Sequence, residues 1–263
     1  MISLLTALSA VFLYLASAWA QNTNGATTTH SAHKRGFQLG LAGWLIHGIN
    51  LYTHLFTQAG LLLDIGAALS LTAWAVIGII LISSLRKPVA GLLIFAAPIA
   101  ALAIAVDTVS VPSFTGRQFS PGILVHIVTS ILAYALFAVA ACQSVLLIYQ
   151  NRHLKLHQPS RLVASLPPLQ TMESLLFEVL AVGQVFLTIA LVSGGIFLED
   201  LFAQHVVHKT ILSLIAWVIF SILLWGHYRL GWRGRTAIRW TLWGFANLAL
   251  AFFGTKLALE FLL

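Results

Sequence analysis

The sequence predicts an all-α polytopic membrane protein, built as a bundle of eight transmembrane helices with both termini on the non-cytoplasmic side. Its composition is the first reason: charged residues make up 8% of the chain and hydrophobic residues 59%. Soluble domains carry about 25% charged residues, so this chain lacks the polar surface that a soluble fold needs. The apolar runs are also long enough for membrane helices rather than barrel strands, and the basic residues are confined to alternate loops.

Eight apolar runs account for most of the chain. Each reaches or approaches the roughly 17–20 residues that a helix needs to cross the hydrocarbon core. The sequence therefore predicts one integral membrane domain over 1–263, with spans at roughly 2–20, 36–57, 61–82, 89–107, 122–150, 173–198, 205–228 and 236–260.

The orientation follows from the loops. Cytoplasmic loops of membrane proteins carry an excess of Lys and Arg. With eight spans, one side of the membrane holds most of the 14 basic residues, namely Lys34, Arg35, Arg86, Lys87, Arg152, Lys155, Arg161, Arg229, Arg233, Arg235 and Arg239. That side is predicted to be the cytoplasm, which leaves both termini outside it.

The first run has two interpretations. Residues 17–21 resemble a signal-peptidase site, but no basic residue precedes the run, so we expect a retained helix. The polar stretch 22–33 is then a cytoplasmic connection to the second span. Gly36 and Gly40 open that span with a spacing that lets a neighbouring helix approach closely.

Charge and cysteine content exclude several functions. The net charge of +7 lies in short loops between apolar runs, so topology explains it and a nucleic-acid partner is not expected. Cys142 is the only cysteine in the sequence. Disulfides within the chain, CxxC redox pairs and covalent c-type haem attachment are therefore excluded.

Histidines are the candidate functional residues. His47 lies near the middle of the second span, where it must be bonded to a neighbouring hydroxyl or bind a metal. His126 lies one turn inside the outer face. His227 ends the seventh span within LLWGHYRLGWRG, and Arg229 and Arg233 follow it at the cytoplasmic boundary.

Three segments together resemble the cytochrome c assembly membrane family. They are GILVHIVTSILAYALF around His126, LPPLQTMESLLF, and AWVIFSILLWGHYRLGWRGR followed by FANLALAFFG. The family includes CcsA-type haem-lyase subunits and CcmC, and the sequence is most similar to its YpjD-like and HemX-like inner-membrane branch. The resemblance runs from about His47 to Gly254.

This resemblance implies a haem site inside the membrane. In CcsA-type members, one histidine of an early span and one at the end of a late span are axial ligands, and His47 and His227 match those positions. His126 matches the first external haem histidine. The implied cofactor is a non-covalent, b-type haem, and Arg229 and Arg233 could pair with its propionates.

Two departures from the family pattern bear on activity. The region between the sixth and seventh spans reads IFLEDLFAQHVVHK, without the family's tryptophan-rich haem-presenting loop, and the chain stops at Leu263 without the second external histidine. We therefore expect a haem-binding or haem-handling protein of the bacterial inner membrane that is not an enzyme. The alternatives are an accessory scaffold subunit of another inner-membrane protein, or a transporter that uses the same fold without haem.

Overall fold

The computed structural model describes residues 2–24, 30–57, 60–61, 63–87, 89–110, 119–156, 166, 168–197 and 204–254. These residues form an all-α protein, as predicted. Its helices are α1 (Ile2–Asn24), α2 (His30–Leu55), α3 (Ile65–Ser84), α4 (Leu93–Val109), α5 (Pro121–Lys155), α6 (Leu169–Phe197), α7 (Gln204–Leu230) and α8 (Gly234–Ala249). A 3₁₀ turn at Ala90–Leu92 precedes α4, and a π-helical turn at Leu250–Gly254 follows α8.

Six of the described helices are long and apolar enough to cross a membrane, namely α1, α3, α4, α5, α6 and α7. The chain is therefore a membrane protein. The helix α2 opens on the polar residues HSAHKR, and α8 has only 16 residues with Arg235 and Arg239 in its first two turns. Because these two helices are less apolar or shorter, the count of eight spans stays a prediction.

Two predicted boundaries were wrong. The stretch 22–33, predicted as a connection, is largely helical within its described residues, since α1 runs to Asn24 and α2 begins at His30. Backbone hydrogen bonds extend a helix beyond its apolar part, so polarity alone did not mark the ends. The third helix begins at Ile65 rather than 61, because a short antiparallel pair, Phe56–Thr57 with Gly60–Leu61, comes first.

The chain divides into two compact units, and the long helix α5 contributes residues to both. The first unit comprises Met1–Phe119 and Gln150–Pro168, in which α1 packs on α2 and α4, and α3 packs on α4. The second comprises Ser120–Tyr149 and Leu169–Leu263, in which α7 packs on α6 and α8. The prediction of a single functional domain over 1–263 stays a prediction.

Two glycines of α2 let polar side chains of α1 approach its backbone closely. A Cβ on Gly36 would lie 2.7 Å from the amide nitrogen of Gln21, and one on Gly40 would lie 3.1 Å from the Ser17 hydroxyl. Ser17 also donates a hydrogen bond to the Gly36 carbonyl at 2.7 Å. The close approach predicted from Gly36 and Gly40 is confirmed, and the neighbour is α1.

Two tryptophans join α2 to α3 by a reciprocal contact. The rings of Trp44 and Trp74 stack with centroids 4.8 Å apart, and each indole N–H donates to the backbone carbonyl of the other tryptophan at 3.0 Å. Each indole also lies against a glycine of the opposite helix, Gly78 for Trp44 and Gly48 for Trp74. The sequence thus repeats a W-x-x-x-G pattern on both partners, and each glycine makes room for the opposite ring.

This packing predicts the effect of Gly78→Ala. The added Cβ would lie 2.9 Å from Nε1 of Trp44, a ring that stacking and hydrogen bonding hold in place. We expect the free energy of unfolding in mild detergent to fall by about 1–3 kcal/mol, as for other overpacked sites. Gly195→Ala is the control, because no atom of the described residues lies within 4 Å of its Cβ position. Equal destabilisation by both substitutions would contradict the packing argument.

Candidate functional site

The predicted site residues fall in two separate units. His47 belongs to the first unit, whereas His126, His227, Arg229 and Arg233 belong to the second.

His47 is fully buried, and hydroxyl groups bond both of its ring nitrogens. Its Nδ1 lies 3.1 Å from the Tyr14 hydroxyl of α1, and its Nε2 lies 2.9 Å from the Ser70 hydroxyl of α3. All three side chains are inaccessible to solvent. Since a hydroxyl both donates and accepts, it satisfies either nitrogen of a neutral imidazole. In this arrangement His47 joins three helices, and neither nitrogen is free to bind a metal unless a hydroxyl bond is released.

A second buried polar group lies at the end of α4, near the same helices. The Asp107 carboxylate is 3% exposed, and its Oδ1 lies 3.3 Å from Nδ1 of His54 on α2. Ser70 and Asp64 are also among its electrostatic neighbours. Asp64 in turn caps α3 by accepting the Ala67 N–H at 2.7 Å. His54 is therefore the partner of a buried carboxylate.

His227 lies at the end of α7, where the chain turns sharply into α8. Gly231 and Gly234 both have positive φ, 68° and 55°, a conformation that glycine adopts without steric cost. The Gly231 N–H donates to the His227 carbonyl at 3.2 Å, which closes the helix end. The Trp232 ring then lies against Gly226, where a Cβ would be only 2.5 Å away.

The turn fixes the proton on the His227 imidazole. Nδ1 of His227 lies 2.9 Å from the Trp232 carbonyl, and a carbonyl only accepts, so Nδ1 carries the hydrogen. In the neutral imidazole Nε2 is then the acceptor, and no described residue bonds it. The Phe177 ring of α6 stacks on the imidazole at 3.4 Å between centroids and restricts its orientation. An imidazole that donates one N–H to a backbone carbonyl and leaves the other nitrogen free is the usual arrangement of a metal-binding histidine.

Glu173 holds the start of α8 against α6. Its Oε1 accepts the Gly234 N–H at 2.9 Å, which satisfies a donor that the helix start leaves open. The side chains of Arg229 and Arg233, on either side of the turn, are exposed. Both can therefore meet an anionic group beside His227.

His126 has the same hydrogen-bond arrangement at a distant position. Its Nδ1 donates to the Ala190 carbonyl of α6 at 2.8 Å, which leaves Nε2 as the acceptor. His227 contacts Phe177 on the same helix. Thirteen residues of α6 separate these two contacts, which is about 20 Å at a rise of roughly 1.5 Å per residue. His126 and His227 cannot bind one iron together.

Comparison with known proteins identifies the family. The family model described as "Cytochrome C assembly protein" matches residues 35–263. The chain belongs to this family. The resemblance predicted from the segments around His126 and His227 is therefore confirmed.

Proteins from several bacteria are similar to this chain. Inner membrane protein YpjD of Escherichia coli K12 is 35% identical over 143 residues, 54% of each chain. A 28.8 kDa protein from the nifR3-like 5' region of Azospirillum brasilense is 34% identical over 156 residues, 58% of each chain. Protein HemX of Brevibacillus brevis is 25% identical over 134 residues, 50% of this chain and 49% of that one. The chain spans about half the length of these curated relatives, and no solved structure matches it significantly.

The sequence of this cytochrome c assembly family member did not predict which groups surround the histidines. The partners Tyr14 and Ser70 lie 33 and 23 residues from His47 in the chain, and no spacing rule connects them. Phe177, inside the family-like segment LPPLQTMESLLF, stacks on His227, but the motif itself gave no sign of this contact. Only the glycines of HYRLGWRG signalled a tight turn.

The hydrogen bonds of His47 predict the effect of Tyr14→Phe. The substitution keeps the ring and removes the hydroxyl, which leaves Nδ1 without a partner. We expect the free energy of unfolding to fall by about 0.5–1.5 kcal/mol, measured by denaturant unfolding in detergent. Tyr228→Phe is the control, since Tyr228 is 70% exposed. If the two variants lose equal stability, the Tyr14 hydroxyl does not hold His47.

Proposed function

We propose that this cytochrome c assembly family member is a bacterial inner-membrane protein that binds haem non-covalently, with His227 as an axial ligand of the iron. The observation that carries the proposal is the His227 side chain itself. Its Nδ1–H is donated to the Trp232 carbonyl, and among the described residues none bonds its Nε2. Family membership and the relatives named inner membrane protein YpjD and protein HemX support it.

The residues around His227 would contact the different parts of a bound haem. Haem, when bound, supplies an iron that accepts axial imidazoles. Phe177 keeps the imidazole plane fixed, so Nε2 needs little reorganisation to bind. Arg229 and Arg233 are exposed beside the turn and could pair with propionates at the polar boundary.

His47 stays the predicted second ligand of the iron, but it could bind only after one of its hydrogen bonds is released. Its Nε2 would have to exchange the Ser70 hydroxyl for iron, while Tyr14 kept Nδ1. The Tyr14 hydroxyl would then bond the other ring nitrogen and orient the metal-bound imidazole, as such partners commonly do.

We expect this protein to have no enzymatic activity of its own. The sequence between α6 and α7 has no tryptophan, so it lacks the aromatic loop with which CcsA-type relatives are expected to present haem. His126 would then serve a separate role near the opposite end of α6.

Co-expression with an apocytochrome that carries a CxxCH site tests this absence of lyase activity. In a host without its own maturation system, we expect no covalent holocytochrome above the level of the empty vector. Haem staining of denatured protein on a gel measures the covalent product. A clear stained band would contradict the proposal.

An accessory scaffold subunit is the second candidate function, and the environment of His47 favours it. A buried histidine whose two nitrogens are both bonded to hydroxyls is already accounted for by helix packing. In this case the fold would serve a partner membrane protein without haem.

The proposed topology has eight spans with both termini outside the cytoplasm. Reporter fusions after Leu263 and within 157–165 should then report opposite compartments, because an odd number of spans lies between them. Fusions at both places that report the same compartment would show that α6, α7 or α8 does not cross the membrane.

Absorption spectra of the purified protein test haem binding. In mild detergent, we expect the reduced protein to show the narrow visible bands of a low-spin haem with two histidine ligands. His227→Ala should lose haem or convert it to the high-spin form, because one axial ligand is gone. Colourless protein from haem-supplemented cells would favour the scaffold function instead.

Two further variants separate the roles of the histidines. His126→Ala is the matched control, since His126 has the same hydrogen-bond arrangement but lies about 20 Å away along α6; its spectrum should stay low-spin. His47→Ala should become high-spin if His47 is the second ligand, and should only lose stability if His47 is a packing residue. An unchanged spectrum in both His47→Ala and His227→Ala would place the ligands elsewhere.

A further inference from the structure

A groove between α7 and α8 lies apart from the residues used so far. Its lining comprises Ile219 of α7 with Thr236, Arg239, Trp240 and Trp243 of α8. Its volume is about 400 Å³, within the range of small-molecule sites. The lining combines one cation and one hydroxyl with two indoles and an aliphatic side chain, so one part of the groove is polar and the rest is apolar.

The polar part of the groove suits a phosphate. Thr236 and Arg239 are three residues apart, so both side chains lie on one face of α8. Arg239 is exposed, and within the described part of the chain no carboxylate lies at ion-pair distance from it. A guanidinium with a neighbouring hydroxyl offers several donors to the oxygens of a phosphate group.

The apolar part of the groove continues along the same helix. Trp243 is 67% exposed, although it is among the largest apolar side chains of the protein. With Trp240 and Ile219 it forms a surface that a hydrocarbon chain can cover.

The polar part of the groove lies in the first two turns of α8, just after the turn from α7. Within the second unit, Trp225 and Tyr228 at the end of α7 are also exposed, by 59% and 70%. Exposed Trp and Tyr beside arginines mark the headgroup region, where aromatic side chains are enriched. The predicted topology assigns this end to the cytoplasmic leaflet, whose lipids include anionic species.

We propose that the groove binds an acidic phospholipid. The headgroup phosphate would be held by Arg239 and Thr236, and an acyl chain would lie along Trp243 and Ile219. This site is independent of the proposed haem site, because Arg239 and Trp243 are not among the residues assigned to haem.

Native mass spectrometry of the full-length protein, after delipidation in detergent, tests the proposal. Three probes are added separately: phosphatidylglycerol, phosphatidylcholine and inorganic phosphate. We expect retained adducts of phosphatidylglycerol, little phosphatidylcholine, and no competition by phosphate at equal concentration. Equal retention of both lipids would show that the groove does not recognise the negative charge of the lipid, which would overturn the proposal. Displacement by phosphate at equal concentration would show a free-anion site instead of a lipid site.

Variants locate the binding in the groove. Arg239→Gln should lower phosphatidylglycerol affinity by about tenfold, since a charge-assisted contact is lost. Arg235→Gln is the matched control, because Arg235 is exposed on the same helix but does not line the groove. Trp243→Ala should also weaken lipid binding, whereas Tyr228→Ala, outside the groove, should not. Equal losses for Arg239→Gln and Arg235→Gln would overturn the assignment, and circular dichroism identifies any variant that has simply misfolded.

Discussion

Hydrocarbon offers no hydrogen bonds, so each polar group inside a membrane helix has to find its partner within the protein. This constraint accounts for most of the specific contacts in both units. The indoles of Trp44 and Trp74 donate to backbone carbonyls of the facing helix, and Ser17 donates to Gly36. Gln184 of α6 reaches the Ser221 hydroxyl of α7 at 2.7 Å in the same way. The helices that pack together are therefore the same helices that these hydrogen bonds join.

The constraint also separates the histidines into two kinds. His47 is satisfied by two hydroxyls, each of which can donate or accept, so its proton has no fixed position. His227 and His126 meet backbone carbonyls, which place the hydrogen on Nδ1 and leave Nε2 as the acceptor of the neutral imidazole. A histidine is therefore prepared for metal binding by what its other nitrogen contacts, more than by its depth in the membrane.

The short turn between α7 and α8 combines several roles. Its glycines allow the reversal, its Trp232 carbonyl orients His227, and its Gly234 N–H donates a hydrogen bond to Glu173. Exposed aromatic and arginine side chains, Trp225, Tyr228, Arg229 and Arg233, lie around it. The turn lies inside residues 35–263, which match the model of the cytochrome c assembly family.

The sequence by itself determined the class of protein, the approximate helices and the family. Long apolar runs, few charges and segmented basic loops are local properties, and a local pattern is enough to form a membrane helix. It also singled out His47, His126 and His227, because an ionisable residue in an apolar run is conspicuous.

Only the tertiary structure decided what those histidines contact. The partners Tyr14, Ser70 and Phe177 come from other helices, and helix packing rather than sequence spacing brings them close. The ends of α2 and α3 were likewise decided by a strand pair and by the Asp64 cap, which depend on backbone hydrogen bonds rather than on hydropathy. Hydropathy records how each residue interacts with lipid, but the state of a buried imidazole depends on contacts between helices that are distant in the chain.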